Sequence, residues 1–165
     1  MLAPRIIPCL LVHNKGLVKT VKFKEGKYVG DPINAVKIFN EKESDELMVL
    51  DIDATVENRE PDYKMIGYLA KECRMPLCYG GGIKTLAHAE KIVALGVEKV
   101  ALSSVVFNQP SLIVEIANKI GQQSVVVVLD VKKKTLSSNY NVWTLNGRHN
   151  TKKNVANVIQ KVQNL

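Results

Sequence analysis

Aromatic residues make up only 5% of this 165-residue chain. That leaves few platforms on which the bases of a single-stranded nucleic acid could stack. Cysteine is also scarce. Cys9, Cys73 and Cys78 are an odd number without metal-ligand spacing, and two of them lie inside apolar runs, where a thiol behaves as a small hydrophobe. The expectation is buried, reduced thiols in a cytoplasmic protein, with no metal. No apolar run is long enough to span a membrane. The start, M-L-A-P-R-I-I-P-C-L-L-V, carries Arg5 and two prolines and leads straight into strand-like sequence, so it is not read as a signal peptide. The formal net charge is +7, but the basic residues are scattered along the chain instead of forming one stripe. An anionic small molecule explains such an excess, and no nucleic-acid partner is expected. Lys132, Lys133 and Lys134 form the one tight basic run, read as a solvated loop.

Apolar residues reach 46%, enough for a real core in a single domain over residues 1–165. The stretch that orders the chain is P-L-C-Y-G-G-G-I-K-T-L, from Pro76 to Leu86. A short apolar strand from Leu77 to Tyr79 meets Gly80, Gly81 and Gly82. A helical pattern at Leu86, Ala89, Ile92, Val93 and Leu95 is expected to follow at once. Glycines remove every Cβ from the turn, and a helix N-terminus behind them favours an anion such as phosphate. A tight turn without a ligand is the competing reading.

The same layout repeats. Ile6 to Val12 reads as a strand buried on both faces. A long lysine-rich connection with a small hairpin (Leu17 to Phe23, then Lys27 to Val29) follows. Asp31-Pro32 caps a helix that runs to about Glu43. Glu46 to Asp53 is the second strand, and Pro61 opens the second helix. Val97 to Leu102 is the fourth strand, ending in Ser103-Ser104, and Pro110 opens the next helix. Val125 to Leu129 is the fifth strand and ends on Asp130. A connection from Lys132 to Arg148 has Asn146-Gly147 as a turn signal. Val155, Val158, Ile159 and Val162 mark a last helix. Alternating strands and helices predict an α/β fold with a parallel sheet, either doubly wound or part of an eight-fold barrel, with ligands at the C-terminal strand ends.

Five segments together resemble one family: A-P-R-I-I-P-C-L, D-E-L-x-x-L-D-I from Asp45 to Ile52, G-G-G-I from Gly80 to Ile83, N-Q-P-S-L-I from Asn108 to Ile113, and S-V-V-V-V-L-D-V-K from Ser124 to Lys132. The family is the cyclase subunit of imidazole glycerol phosphate synthase, a (β/α)8 barrel of the TIM type in histidine biosynthesis. The resemblance covers the whole chain but only about five of the family's eight strand-helix units, so it implies an incomplete barrel. It implies that Asp130 matches a catalytic aspartate. Gly81 and Gly82 match backbone donors to a substrate phosphate. Ser103 and Ser104 sit at a second phosphate contact, where the family usually has Asn at the first position. Lys19 matches a lysine of a mobile loop that closes over substrate. At the opposite strand ends, Arg5, Glu46 and Lys99 match the gate through which a glutaminase partner delivers ammonia. The implied substrate is a phosphorylated ribulosyl-aminoimidazole, with no cofactor.

Leu11 is the main departure. The family carries its other catalytic aspartate there, and a leucine cannot transfer a proton. Two alternatives therefore stay open: ammonia-dependent amidation of a surface-polysaccharide sugar by a divergent second copy, and a non-catalytic barrel fragment that binds a partner.

Overall fold

The computed structural model describes residues 4–24, 26–133 and 139–165. Lys134 of the basic run and the M-L-A start lie outside the described residues. A seven-stranded sheet has the order β3-β2-β1-β4-β5-β6-β7, and a three-stranded sheet has the order β10-β9-β8. Five parallel strands form the body of the first sheet: β1 (Cys9–His13), β4 (Leu47–Asp51), β5 (Leu77–Gly80), β6 (Lys99–Leu102) and β7 (Val125–Val127). They lie side by side in chain order, whereas a doubly wound sheet reverses its order at a switch point. The hairpin expected after β1 is present. β2 (Gly16–Lys19) and β3 (Lys27–Gly30) extend the sheet antiparallel beyond β1, so the fold is α/β with a mixed sheet.

The connections between parallel strands carry α1 (Pro32–Glu41), α2 (Tyr63–Glu72), α3 (Leu86–Ala94), the short α4 (Val105–Asn108) and α5 (Ser111–Ile120). Helix α1 packs on α2, α2 on α3 and α3 on α5, so they cover one face of the sheet in succession. Their apolar stripes meet Val12, Val49, Tyr79, Val100 and Leu102, which belong to one buried core with Val36, Ile66, Leu69, Ile92 and Ile116. This burial is the main force holding helices to sheet. Asp31 caps α1 as the sequence predicts, accepting the N–H groups of Ile33 and Asn34 at 2.9 and 3.0 Å. Helix α6 (Val155–Gln163) closes the chain where its periodicity placed it.

Several expectations need correction. Strand one begins at Cys9, not Ile6, because Arg5 to Pro8 pair only through isolated contacts such as Met48 N–H to the Pro8 carbonyl. Helix α2 starts after Asp62, whose carboxylate accepts the Met65 N–H, and Pro61 lies outside it. Helix α3 does not follow the glycines at once. Thr85 caps it, so Ile83 and Lys84 separate the glycine turn from the helix N-terminus. Strand five ends at Val127, and Asp130 opens a new strand, β8 (Asp130–Lys133). That strand pairs with β9 (Tyr140–Thr144), which turns through Asn146-Gly147 into β10 (His149–Asn154). Two of the three lysines of the basic run are therefore strand residues. Leu145, Asn146 and Gly147 all take positive φ, which explains the Asn-Gly signal.

Candidate functional site

The sheet face away from the helices carries two rows of residues in register. Cys9, Met48, Cys78 and Lys99 align in the lower row, and Leu11, Leu50, Gly80 and Ala101 in the upper. Both rows are apolar except for Lys99. A side chain at Gly80 would meet Leu50 and Ala101 within 3.0 Å, so the glycine lets the upper row close up. Burial pushes the Cys78 thiol up to about 12, with the Glu46 charge adding to the rise. A thiol held neutral in the fold but free to ionise at its ordinary value of 9.0 when unfolded favours unfolding at high pH. Stability is unaffected below 9.0 and falls as pH rises towards 12. Urea unfolding across that window should show a steeper loss in the wild-type protein than in Cys78→Ala.

Above the upper row, the C-terminal strand ends surround a cavity of about 710 Å³. Gly81, Gly82, Ser103, Ser104 and Asp130 all line it, as does Leu11. Lys19 does not, although its neighbours Val18 and Thr20 do. Gly81 and Gly82 have φ of 122° and 73°, a region that L side chains rarely adopt. A Cβ at Gly81 would run into the Asp51 carbonyl, and one at Gly82 would come within 2.9 Å of the Arg59 carbonyl. The turn thus needs glycine for packing against the β4 loop as well as for access. The Gly82 N–H makes only a long 3.4 Å contact with Thr55 Oγ1. Neither serine hydroxyl serves the fold as a helix cap, since α4 has no side-chain cap and the N-cap of α5 is Pro110. Burial raises the Asp130 carboxyl above its usual range, and nearby Lys132 offsets part of the rise.

The hairpin β9–β10 roofs this cavity. Asn146 Nδ2 donates to the Ile52 carbonyl at 2.7 Å, and Lys132 Nζ donates to the Gly147 carbonyl at 2.5 Å. Lys132 also sits 4.2 Å from the Trp143 ring centre and 5.3 Å from that of Phe23, which belongs to the loop after β2. Among the lining residues the sequence reading missed are four that can carry charge at the strand ends and the roof: His13, Asp51, Asp53 and Arg148. The first three follow or end β1 and β4. Polar side chains at C-terminal strand ends were the available signal.

At the other end of the strands, Glu46 is 3% exposed. Its Oε2 lies 2.6 Å from Lys99 Nζ and 3.7 Å from Arg5 Nη1. The three charged residues expected to meet there do meet, across 53 positions of chain between Glu46 and Lys99.

Comparison with known proteins gives a consistent result. A protein of Vibrio vulnificus, provisionally named as an imidazole glycerol phosphate synthase subunit, hisF3, is 59% identical over 100% of this chain and 62% of its own length. A hisF2 protein of Pseudomonas aeruginosa with the same provisional name is 57% identical over 93% of the chain and 61% of its own length. The imidazole glycerol phosphate synthase subunit HisF of Lactococcus lactis subsp. lactis is 38% identical over 100% of the chain and 64% of its own length. The chain therefore spans a little over six tenths of the length of these relatives. Among the described residues, no helix is long and apolar enough to cross a membrane. Residues 5–165 match the family described as histidine biosynthesis protein, and the chain belongs to that family.

Proposed function

We propose that this chain is one domain, residues 1–165, forming the first five strand-helix units of a (β/α)8 barrel, and that the barrel works in the cytoplasm as the ammonia-using cyclase subunit of an imidazole glycerol phosphate synthase-like enzyme. One observation carries the reading. The same five strands have a cavity carrying polar strand-end groups at one end and the Arg5–Glu46–Lys99 cluster at the other, with apolar rows between them. A neutral molecule as small as ammonia suits an apolar passage; an ion would not. In this reading a glutaminase partner docks at the charged end. Gly81, Gly82, Ser103 and Ser104 hold a substrate phosphate through backbone and hydroxyl donors. Lys19, at the end of β2 just outside the cavity, closes over the substrate, and Asp130 transfers a proton to or from the reacting atoms. The substrate is a phosphorylated ribulosyl-aminoimidazole and the product imidazole glycerol phosphate, formed without a metal or cofactor.

Leu11 favours a second reading, ammonia-dependent amidation of a surface-polysaccharide sugar. The deciding assay uses the full-length protein and the ribulosyl substrate, once with ammonium salt and once with glutamine and a glutaminase subunit. Product in both arms supports the first reading. No product in either arm overturns it, and amidation of a sugar in its place establishes the second. Phosphate binding has its own measurement. In isothermal titration with a phosphate ester, Ser104→Asp should weaken binding by about tenfold or more, since it exchanges a donor for a like charge. Equal affinity would dismiss the serine end of the site.

A further inference from the structure

The rim of the cavity holds a polar pair that the reading above leaves unused. His13 ends β1 and Asp53 lies just past β4, so two adjacent parallel strands deliver both to the same rim. His13 Nδ1 is 2.7 Å from Asp53 Oδ1. The other carboxylate oxygen accepts the Asn14 N–H at 2.8 Å. The Asn14 side-chain amide nitrogen lies 3.1 Å from His13 Nε2. An ionised carboxylate only accepts hydrogen bonds, so the proton of the neutral ring sits on Nδ1. An amide nitrogen only donates, so Nε2 presents its lone pair to it. Two neighbours thus fix one tautomer, with the basic nitrogen as Nε2. The Asp53 side chain is 10% exposed and that of His13 45% exposed. The carboxylate is anchored and the ring is accessible from the cavity that both residues line. Two positions back along the strand, Leu11 offers no proton-transfer group.

We propose that His13, oriented by Asp53, is the proton acceptor that works with Asp130 at this site. The proposal rests on the ammonia-using reading. The ammonia lone pair forms a C–N bond to an electrophilic carbonyl carbon, and the C=O π pair moves onto oxygen. That oxygen takes the proton of the Asp130 carboxyl, and the new ammonium group gives a proton to His13 Nε2. A neutral carbinolamine, an aspartate and an imidazolium result, and the proton returns to Asp130 through water. Asp53 is a positioning residue, because it sets which ring nitrogen carries the lone pair, and the exposed Asn14 amide that holds Nε2 at 3.1 Å gives way to the reacting group.

The test uses the full-length protein and two readouts. The first is ¹⁵N NMR of the histidine rings at about pH 8, above the usual histidine value near 6.5. His13 should show a protonated Nδ1 and a bare Nε2. In Asp53→Asn, whose amide can serve either tautomer, the two forms should mix. A wild-type His13 protonated mainly at Nε2 overturns the proposal. The second readout is ammonium-driven turnover of the ribulosyl substrate. His13→Gln should lower kcat by about 10²-fold with KM little changed. Leu11→Asp should restore part of that loss in the same background. An unchanged kcat in His13→Gln overturns the proposal. A wild-type protein that turns over nothing overturns the function proposed above, and the pair then stands or falls on the nitrogen spectra.

Discussion

Asp130→Asn is expected to lower ammonium-driven turnover of the full-length protein by about 10²–10⁴-fold, the usual worth of a positioned acid or base. The substitution keeps shape and polarity while removing the titrating group. Its unfolding midpoint should therefore stay close to wild type. The direction of the pH dependence separates two roles. Burial raises the carboxyl above its ordinary range. If the reaction needs the protonated form, the rate falls as pH rises through that raised value. If it needs the carboxylate, the rate falls as pH drops through it. In either case the limb lies above the usual carboxylate range near 3.9 and disappears in Asp130→Asn. Turnover within a few-fold of wild type in the variant would remove Asp130 from the chemistry.

Lys99→Met is expected to destabilise the protein by about 3–5 kcal/mol, because it leaves the Glu46 carboxylate buried without its close partner. Arg5 is a poor substitute. It lies 3.7 Å away, and its side chain is 65% exposed, so solvent screens the pair. Removing both charges in Glu46→Leu/Lys99→Met should recover most of the loss, since an apolar pair of similar volume is often neutral or stabilising. Urea unfolding of the two variants beside wild type measures this. A single variant as stable as wild type would mean that Glu46 finds another partner or water. Turnover adds a functional contrast. A gate role requires the double variant to lose more glutamine-driven than ammonium-driven activity, whereas a purely structural cluster lowers both equally.

The outcome for the glycine turn shows how a correct residue can be found for an incomplete reason. The sequence reading placed Gly80 to Gly82 against a helix N-terminus. Thr85 caps that helix three residues later, accepting the His88 N–H at 3.2 Å. What requires glycine is the approach of the Asp51 carbonyl at the end of β4 and of the Arg59 carbonyl in the loop after it. Asp130 is a similar case. Its strand run is legible from Val125, yet the break after Val127 is not, because Val128 and Leu129 continue the apolar pattern. Pairing of β8 with β9 decides the break, and that pairing gives Asp130 the Trp143 partner that turns the segment away from the parallel sheet.

By itself the sequence determined the order of strands and helices, the Asp31 cap, the hairpin after β1 and the Asn-Gly turn. Each depends on periodicity or on hydrogen bonds between residues a few positions apart, which leave a local pattern. Only the tertiary structure decided which strand lies beside which and that His13 meets Asp53 across 40 residues. Those pairs depend on register between distant strands. Register is set by the fit of whole apolar faces against the helices, and a single charged residue carries no mark of the partner that this fit will bring to it.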